Sequence, residues 1–292
     1  MAAKPDQPPL IAVVGETASG KSALALEIAK QYNGEVICAD SRTIYKGMDV
    51  GTAKPSKEEQ AEVPHHLLDV AQPGEIFTAA DFQRLAQAAI QDIASRGRVP
   101  IIVGGTGLYV DSILFDYRFA GQANTEKRAA LEALDIGELR TLIEQRGLIP
   151  PYNEKNKRHL IRTLEREDEV PVDRHAVRGN TLVIGLQVSR AVLRRRIEER
   201  VEQMFRKGLR KEVDELQAAY SWGSEALTGI GYREFKAFYQ GNASASEVKR
   251  RIVQDTLQLA KRQRTWFKRN PQIEWFASTE EALQRVAAFL AA

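Results

Sequence analysis

The sequence predicts an α/β fold: a parallel sheet flanked by helices and interrupted by a small helical insertion. Three observations carry that expectation. A short apolar run passes into a glycine-rich loop and then into a helical pattern within about 20 residues. Three apolar runs end in polar or glycine-rich turns, as strands buried on both faces of a parallel sheet do. From about residue 120 to 176 the pattern becomes helical, with no convincing strand.

Taken in order, residues 9–14 (PLIAVV) are rich in β-branched side chains and read as a buried strand that ends at Gly15. Residues 22–30 have helical spacing, with Leu24, Leu26 and Ile28 placing apolar groups toward a core. Residues 35–39 are the next strand, ending at Asp40. Phe77 to Arg96 reads as a helix opened by Thr78, with Asp81 in its first turn. Arg98 to Val103 is a further strand, and Gly104-Gly105-Thr106-Gly107 turns it into another helix.

Residues 125–134, 136–145 and 156–166 supply the helices of the insertion, and 181–186 returns to strand character. A core in two parts, 1–119 and 177–292, around an insertion at 120–176 is the economical division. Residues 191–219 follow as one amphipathic helix interrupted near Gly208, then a basic helix over 246–269 and a closing helix over 280–290.

The bulk composition suits a globular chain: 292 residues, 43% hydrophobic and 28% charged, with a net charge of +3. The first nine residues, MAAKPDQPP, read as a loose leader, and no apolar stretch is long enough for a bilayer span. The single Cys38 excludes an intrachain disulfide framework and reads as a buried thiol at a strand end. Cytoplasmic location is the expectation. The adjacent His65 and His66 diverge on any regular backbone and lack a second ligand cluster, so zinc is not expected.

Charge is unevenly distributed. Lys249 to Arg269 holds eight basic residues against the single acid Asp255. Lys155, Lys157, Arg158, Arg162 and Arg166 form a second cluster, partly offset by Glu154 and Glu165. Such faces attract polyphosphates or nucleic acid, although a plain solvated helix face has the same composition.

The sharpest local signal is Gly15-Glu16-Thr17-Ala18-Ser19-Gly20-Lys21-Ser22, which matches GxxxxGK[ST] between a strand and a helix. That pattern places the chain with P-loop nucleoside triphosphate hydrolase-like folds and predicts phosphate binding. Glycines let successive backbone N–H groups close around phosphate oxygens, and the helix start adds positive potential. Lys21 reaches the terminal oxygens, and the Ser22 hydroxyl suits the shell of a magnesium ion.

Asp40 sits at a strand mouth, where it can accept a proton or hold magnesium through water. A helix cap or solvent aspartate fits the same position. The strand ending at Val103 lacks the acid a nucleotide hydrolase would use. Its glycines permit close backbone approach, and Thr106 offers a hydroxyl to a phosphate.

Between 40 and 54, Arg42, Tyr45, Lys46 and Lys54 are placed to meet a large anionic substrate. Arg233, in GIGYREF, either clamps phosphate from the side opposite the loop or pairs with an acid at the core edge. Trp266 and Phe267, at the end of the basic helix, fit a core cover better than a base stack. These residues alone favour a small-molecule or nucleotide kinase, with Arg194, Arg195, Arg196 and Arg200 as lid arginines. An RNA-binding switch would leave Asp40 and Thr106 without a task.

Taken together, nine runs resemble the bacterial tRNA dimethylallyltransferases, also called adenosine isopentenyltransferases or IPP transferases. They are GETASGKS (15–22), CADSRTIYKGMDVGTAKP (38–55), VPHHLLDV (63–70), FTAADF (77–82), VGGTGLYVDSIL (103–114), NEKNKRHLIRTLE (153–165), RIEERVEQMFRKGLRKEV (196–213), GIGYREF (229–235) and KRQRTWF (261–267). The resemblance covers about residues 10–270.

It implies transfer of a dimethylallyl group from its diphosphate to the exocyclic amino nitrogen of the adenosine 3′-adjacent to the anticodon in tRNA, releasing diphosphate. It implies Asp40 as proton acceptor, Thr106 beside the bridging oxygen and Arg233 on the second side of the diphosphate. Gly15, Thr17, Ala18, Ser19, Gly20, Lys21 and Ser22 would hold the diphosphate, Ser22 with Mg2+. Ser41, Arg42, Tyr45, Lys46, Lys54, Lys157, Arg158 and Arg162 would meet tRNA. A monomer is expected.

Two departures matter. The family loop usually begins GPTASGK, whereas this one carries Glu16. A carboxylate facing a diphosphate is unfavourable, so Glu16 is expected to point outward. The insertion is also shorter than in some relatives, and the cysteines and histidines of zinc-finger relatives are missing.

Overall fold

A computed structural model describes residues 7–117, 119, 125–151, 153–165 and 177–291. The chain opens with strand Leu10–Gly15 (β1), helix Lys21–Gln31 (α1) and strand Gly34–Cys38 (β2). Helix Lys57–Glu62 (α2), strand His65–His66 (β3), helix Ala79–Ser95 (α3), strand Val99–Gly104 (β4) and helix Gly107–Leu114 (α4) follow. Three helices come next, Thr125–Ala133 (α5), Ile136–Gln145 (α6) and Lys157–Glu165 (α7). The remainder is strand Thr181–Leu186 (β5) and helices Arg190–Arg206 (α8), Leu209–Ala219 (α9), Phe235–Tyr239 (α10) and Ala245–Phe267 (α11). Strand Glu274–Phe276 (β6) and helix Thr279–Leu290 (α12) close the chain.

The six strands form one parallel sheet in the order β3-β2-β4-β1-β5-β6. All six residues of β1 are buried, the pattern of a central strand covered on both faces. One apolar cluster joins Ile11, Val13, Val36, Ile101 and Ile184 to Leu24 and Ile28 of α1 and Val286 of α12. A second gathers Ile44, Tyr45 and Met48 with α8, α9, α10 and α11. The α/β class with a parallel sheet and flanking helices is therefore as the sequence indicated.

Local signals account for several boundaries. Thr78 and Asp81 form a reciprocal capping box that starts α3. Gly208, at φ 94°, separates α8 from α9, a backbone angle that side chains other than glycine rarely adopt. The two edge strands, β3 and β6, were not legible, because two and three residues are too few to show a period.

At the β3 edge the two imidazoles turn to different partners. His65 bonds to Val63 O at 2.7 Å and His66 to Glu35 at 2.6 Å. Cys38 is buried, and burial pushes its thiol up to about 12.

The chain divides into two compact units, Met1–Asp116 with Arg174–Ala292, and Tyr117–Asp173. The second has its own small core of Leu131, Leu139, Ile143, Leu160, Ile161 and Leu164. Among the described residues no helix is long and apolar enough to cross a membrane.

Candidate active site

The carboxyl ends of β1, β4 and β2 lie side by side, because β4 pairs with both neighbours: Val14 stands opposite Gly104, and Cys38 opposite Val103. Open parallel sheets bind ligands at such an edge. A Cβ at Gly104 would lie 2.0 Å from Ala39 O, so only glycine lets β4 end this close to β2. Thr106 then donates its N–H to Ala39 O at 3.2 Å, and its hydroxyl accepts the Ser41 N–H at 3.0 Å. Asp40, between them in the chain, accepts the Arg42 N–H at 2.9 Å, which fixes its carboxylate in a tight turn.

The Gly15–Ser22 loop is wound through positive φ at Gly15 (146°), Ala18 (62°) and Gly20 (104°). Gly20 starts α1 with no side-chain cap and no acid in the first turn. The first-turn amides have no intrahelical partner and give this mouth its positive potential. Ser19 Oγ is buried with no hydrogen-bond partner among the described residues, and Ser22 is exposed on the first turn. Lys21 Nζ donates to Glu16 O at 3.2 Å. Burial lowers its pKa to about 8, with Asp40 opposing and Arg200 assisting that shift.

Helix α8 adds two arginines one turn apart. Arg196 donates to Ala18 O at 3.3 Å and Ser19 O at 3.0 Å. Arg200 donates to the Thr17 hydroxyl at 3.2 Å and to Thr52 O at 3.0 Å. Burial lowers the Arg200 pKa, with Asp40 opposing.

A cavity of about 400 Å³ is lined by Asp40, Thr106, Arg233, Ile197, Met204 and Ile252 among others. A smaller one of about 150 Å³ is lined by Lys21, Ser22, Val36 and Gly104. Thr17, Asp40, Thr52 and Arg200 line both. Both are mixed in character: the larger sets Arg42, Arg200, Arg233 and Arg262 beside apolar Ile197, Met204 and Ile252, the smaller sets Lys21 and Arg200 beside Val36 and Val103, and Asp40 lines each.

Behind the loops stands α11. Gln263 Oε1 accepts the Thr17 N–H at 2.7 Å while its Nε2 donates to Gly105 O at 3.0 Å. Trp266 covers Gly107, where a Cβ would come within 2.2 Å of the ring, and donates to Asp111 at 2.9 Å. Phe267 is buried, in keeping with a core role.

The floor near Thr52 depends on Glu212. Its carboxylate accepts the N–H groups of Asp49, Val50 and Gly51 at 2.8, 2.7 and 2.9 Å, and the Tyr232 hydroxyl at 2.7 Å.

Gly15 to Ser22, Asp40, Ser41, Arg42 and Thr106 are thus brought together. Arg233 lines the larger cavity, but its guanidinium is held by Asp255 at 2.6 Å and Glu234 at 3.0 Å, so the core-edge ion pair is the arrangement present. Arg42 lines the same cavity, anchored to Glu225 O at 2.6 Å.

Three expectations need correction. Tyr45 is 1% exposed and belongs to the core, because its ring fills the cluster under α8. The Lys54 side chain is 3% exposed and is consumed by ion pairs with Asp49 and Asp69, each at 2.6 Å. Neither presents a surface to RNA. Glu16, expected outward, is 9% exposed and paired with Arg264.

Lys46 is exposed. In the helical unit Arg158 is exposed, Lys157 donates to Glu132 O at 2.7 Å, and Arg162 pairs with Glu165 at 3.3 Å.

Gln263 and Glu212 were not identified as site residues, and Arg200 was named only as a lid arginine of the kinase reading. For Arg200 a signal existed, since Arg196 and Arg200 at i, i+4 share a helix face. The other two lie inside the resembling runs 196–213 and 261–267, but loop partners 158 to 246 residues away left their contacts unmarked.

Comparison with known proteins agrees with this geometry. A family model described as IPP transferase matches residues 43–270. The tRNA dimethylallyltransferase of Streptococcus pneumoniae (strain Hungary19A-6) is 41% identical over 281 residues, covering 94% of each chain. That of Roseiflexus sp. (strain RS-1) is 40% identical over 297 residues, covering 96% of each. The crystal structure of the full-length tRNA isopentenylpyrophosphate transferase from Bacillus halodurans superposes with a TM-score of 0.75 at 35% identity, covering 98% of this chain and 96% of that one. A model match over most of the chain, with relatives near 40% identity along nearly its whole length, makes this chain a member of the IPP transferase family.

Proposed function

We propose that this chain transfers the dimethylallyl group of dimethylallyl diphosphate to the exocyclic amino nitrogen of the adenosine 3′-adjacent to the anticodon in tRNA, releasing diphosphate. The observation that carries this reading is the position of Asp40, which lines both the cavity at Lys21 and the larger cavity, with its apolar Ile197, Met204 and Ile252, beside it. A diphosphate on the first side and an adenine on the second would bring the allylic carbon and the amine together next to the carboxylate. The sheet order and the strand–loop–helix placement of Gly15–Ser22 support a P-loop nucleoside triphosphate hydrolase-like class.

In the reaction the amine nitrogen forms a bond to the allylic carbon. The bond from that carbon to the diphosphate oxygen breaks, and its electron pair leaves with the diphosphate. Asp40 accepts the proton that the amine must lose, because an adenine amine is a weak nucleophile. The first-turn amides of α1, Lys21 and Arg200 stabilise the charge gathering on the leaving group. Thr106 accepts the Ser41 N–H and therefore has its own hydroxyl hydrogen free for the bridging oxygen.

Ser22, with Asp40 through water, would hold magnesium. The donor set fits: both line the same cavity, and magnesium commonly takes few protein ligands, the rest from phosphates and water. Bound there, magnesium would neutralise diphosphate charge. Exposed Lys46 and Arg158, together with Lys157, Arg162 and the basic face of α11, are assigned to the tRNA backbone.

The test is incubation of purified protein with unmodified tRNA, magnesium and labelled dimethylallyl diphosphate, followed by nucleoside analysis. Label in adenosine, with one diphosphate released per transfer, is the expected result. Phosphorylation of a nucleoside acceptor by ATP without prenyl transfer would overturn the reading in favour of a kinase.

A further inference from the structure

Two consecutive residues of α11 hold the two positions that follow Gly15. Arg264 grips the Glu16 carboxylate with Nε and, at 2.7 Å, with Nη2. Gln263 holds the Thr17 amide at 2.7 Å and is itself anchored on Gly105 O. Glu16 lines neither cavity, although its charge is close enough to act on Lys21. Among the described residues Arg264 is the cation paired with this carboxylate.

A loop that must draw in a diphosphate therefore carries a buried acid at its second position. Unmatched, that carboxylate would repel the diphosphate anion over a short distance through poorly screening protein. We propose that Arg264 is a charge-compensating positioning residue of the diphosphate site: it turns the Glu16 carboxylate away from the phosphate-binding amides and cancels its charge. The inference rests on the diphosphate reading of the Gly15–Ser22 loop given above. Gln263 fixes the backbone on the same helical turn, so that the Glu16 side chain leaves the loop toward α11.

Calorimetric titration of the full chain with inorganic diphosphate in magnesium buffer tests this. Removing the positive charge in R264Q should weaken binding by about tenfold or more, because a buried carboxylate is left unpaired beside the anion. The double variant E16Q/R264Q should recover to within about threefold of the unaltered chain, since neither charge remains. R264K, which keeps the charge and loses the fork, should also stay within about threefold.

Unchanged binding in R264Q overturns the proposal. So does a loss in R264K equal to that in R264Q with no recovery in the double variant, which would mark a purely structural contact. Should R264Q fail to fold, E16Q decides with R264K: both should bind diphosphate within about threefold of the unaltered chain, and a larger loss in either overturns the proposal. If the unaltered chain binds no diphosphate, the reading of the loop fails first and this inference with it.

Discussion

Ser41 donates its backbone N–H to the Thr106 hydroxyl at 3.0 Å, tying the turn after β2 to the turn after β4. The carboxylate between them, Asp40, is thereby held at fixed height above the sheet edge. Thr106 N–H on Ala39 O makes the tie double. A base that must meet a substrate nitrogen gains from such prior ordering, because little freedom is lost when the substrate arrives.

Asp40→Asn keeps the shape and the turn but removes the proton acceptor. Turnover should fall by about 10²- to 10⁴-fold, the usual worth of a positioned base. Binding of tRNA, measured by filter retention, should change little. Turnover equal to that of the unaltered enzyme would remove Asp40 from the base role.

Lys21 has its pKa lowered to about 8 by burial, so its charge is lost as pH rises through that value. The charged form predominates below about 8 and is the form that attracts diphosphate. kcat/KM for dimethylallyl diphosphate should therefore decline as pH rises through that value, since this ratio reports the free enzyme. K21R stays charged throughout and should lose the inflection. A pH profile with the same inflection in both proteins would assign it to another group.

Glu212 satisfies three backbone amides and a tyrosine hydroxyl. E212A should cost about 2–4 kcal/mol in urea denaturation, because part-buried donors lose their partner together. The donor KM should rise too, since Thr52 lines both cavities and its carbonyl receives Arg200. A stability loss with unchanged KM would separate this anchor from the site.

Glu35 is a buried acid near the start of β2, its side chain 2% exposed, with His66, Arg96 and Arg98 around it. Hydrogen bonding from Arg96, opposed by burial and assisted by His66, lowers its pKa from 4.5 to about 2. A carboxyl depressed in the folded state contributes stability that is full above about 4.5 and is lost as pH falls toward 2. Denaturation of E35Q across that window should show a shallower acid limb. An identical limb would place the acid sensitivity elsewhere.

Several features were readable because they depend on neighbours in the chain. The glycines and Lys21 of the Gly15–Ser22 loop, the Thr78–Asp81 cap and the break at Gly208 each follow from backbone geometry over a few residues. The apolar runs of β1, β2, β4 and β5 announced strands buried on both faces. The short β3 and β6 carry no such pattern and exist because a neighbouring strand offers its edge.

Charged side chains were the least legible. Lys54 looks like an anion contact in sequence, yet Asp49 and Asp69 take it inside. Arg233 fits a clamp and a core-edge ion pair equally in sequence, and Asp255 and Glu234 decide for the pair. The partner of a long side chain is chosen by what packs nearby, and composition does not say what that is.

The chain's local order thus determined by itself the α/β class, the Gly15–Ser22 strand–loop–helix passage and the strand mouths that carry Asp40 and Thr106. Tertiary packing alone decided that Arg200 and Gln263 reach that loop, that Tyr45 turns inward, and that Glu16 meets Arg264 across 248 residues of chain. The physical reason is range. Backbone dihedrals and apolar periodicity act over a few residues, whereas burial and charge pairing act between elements that only the folded sheet brings together.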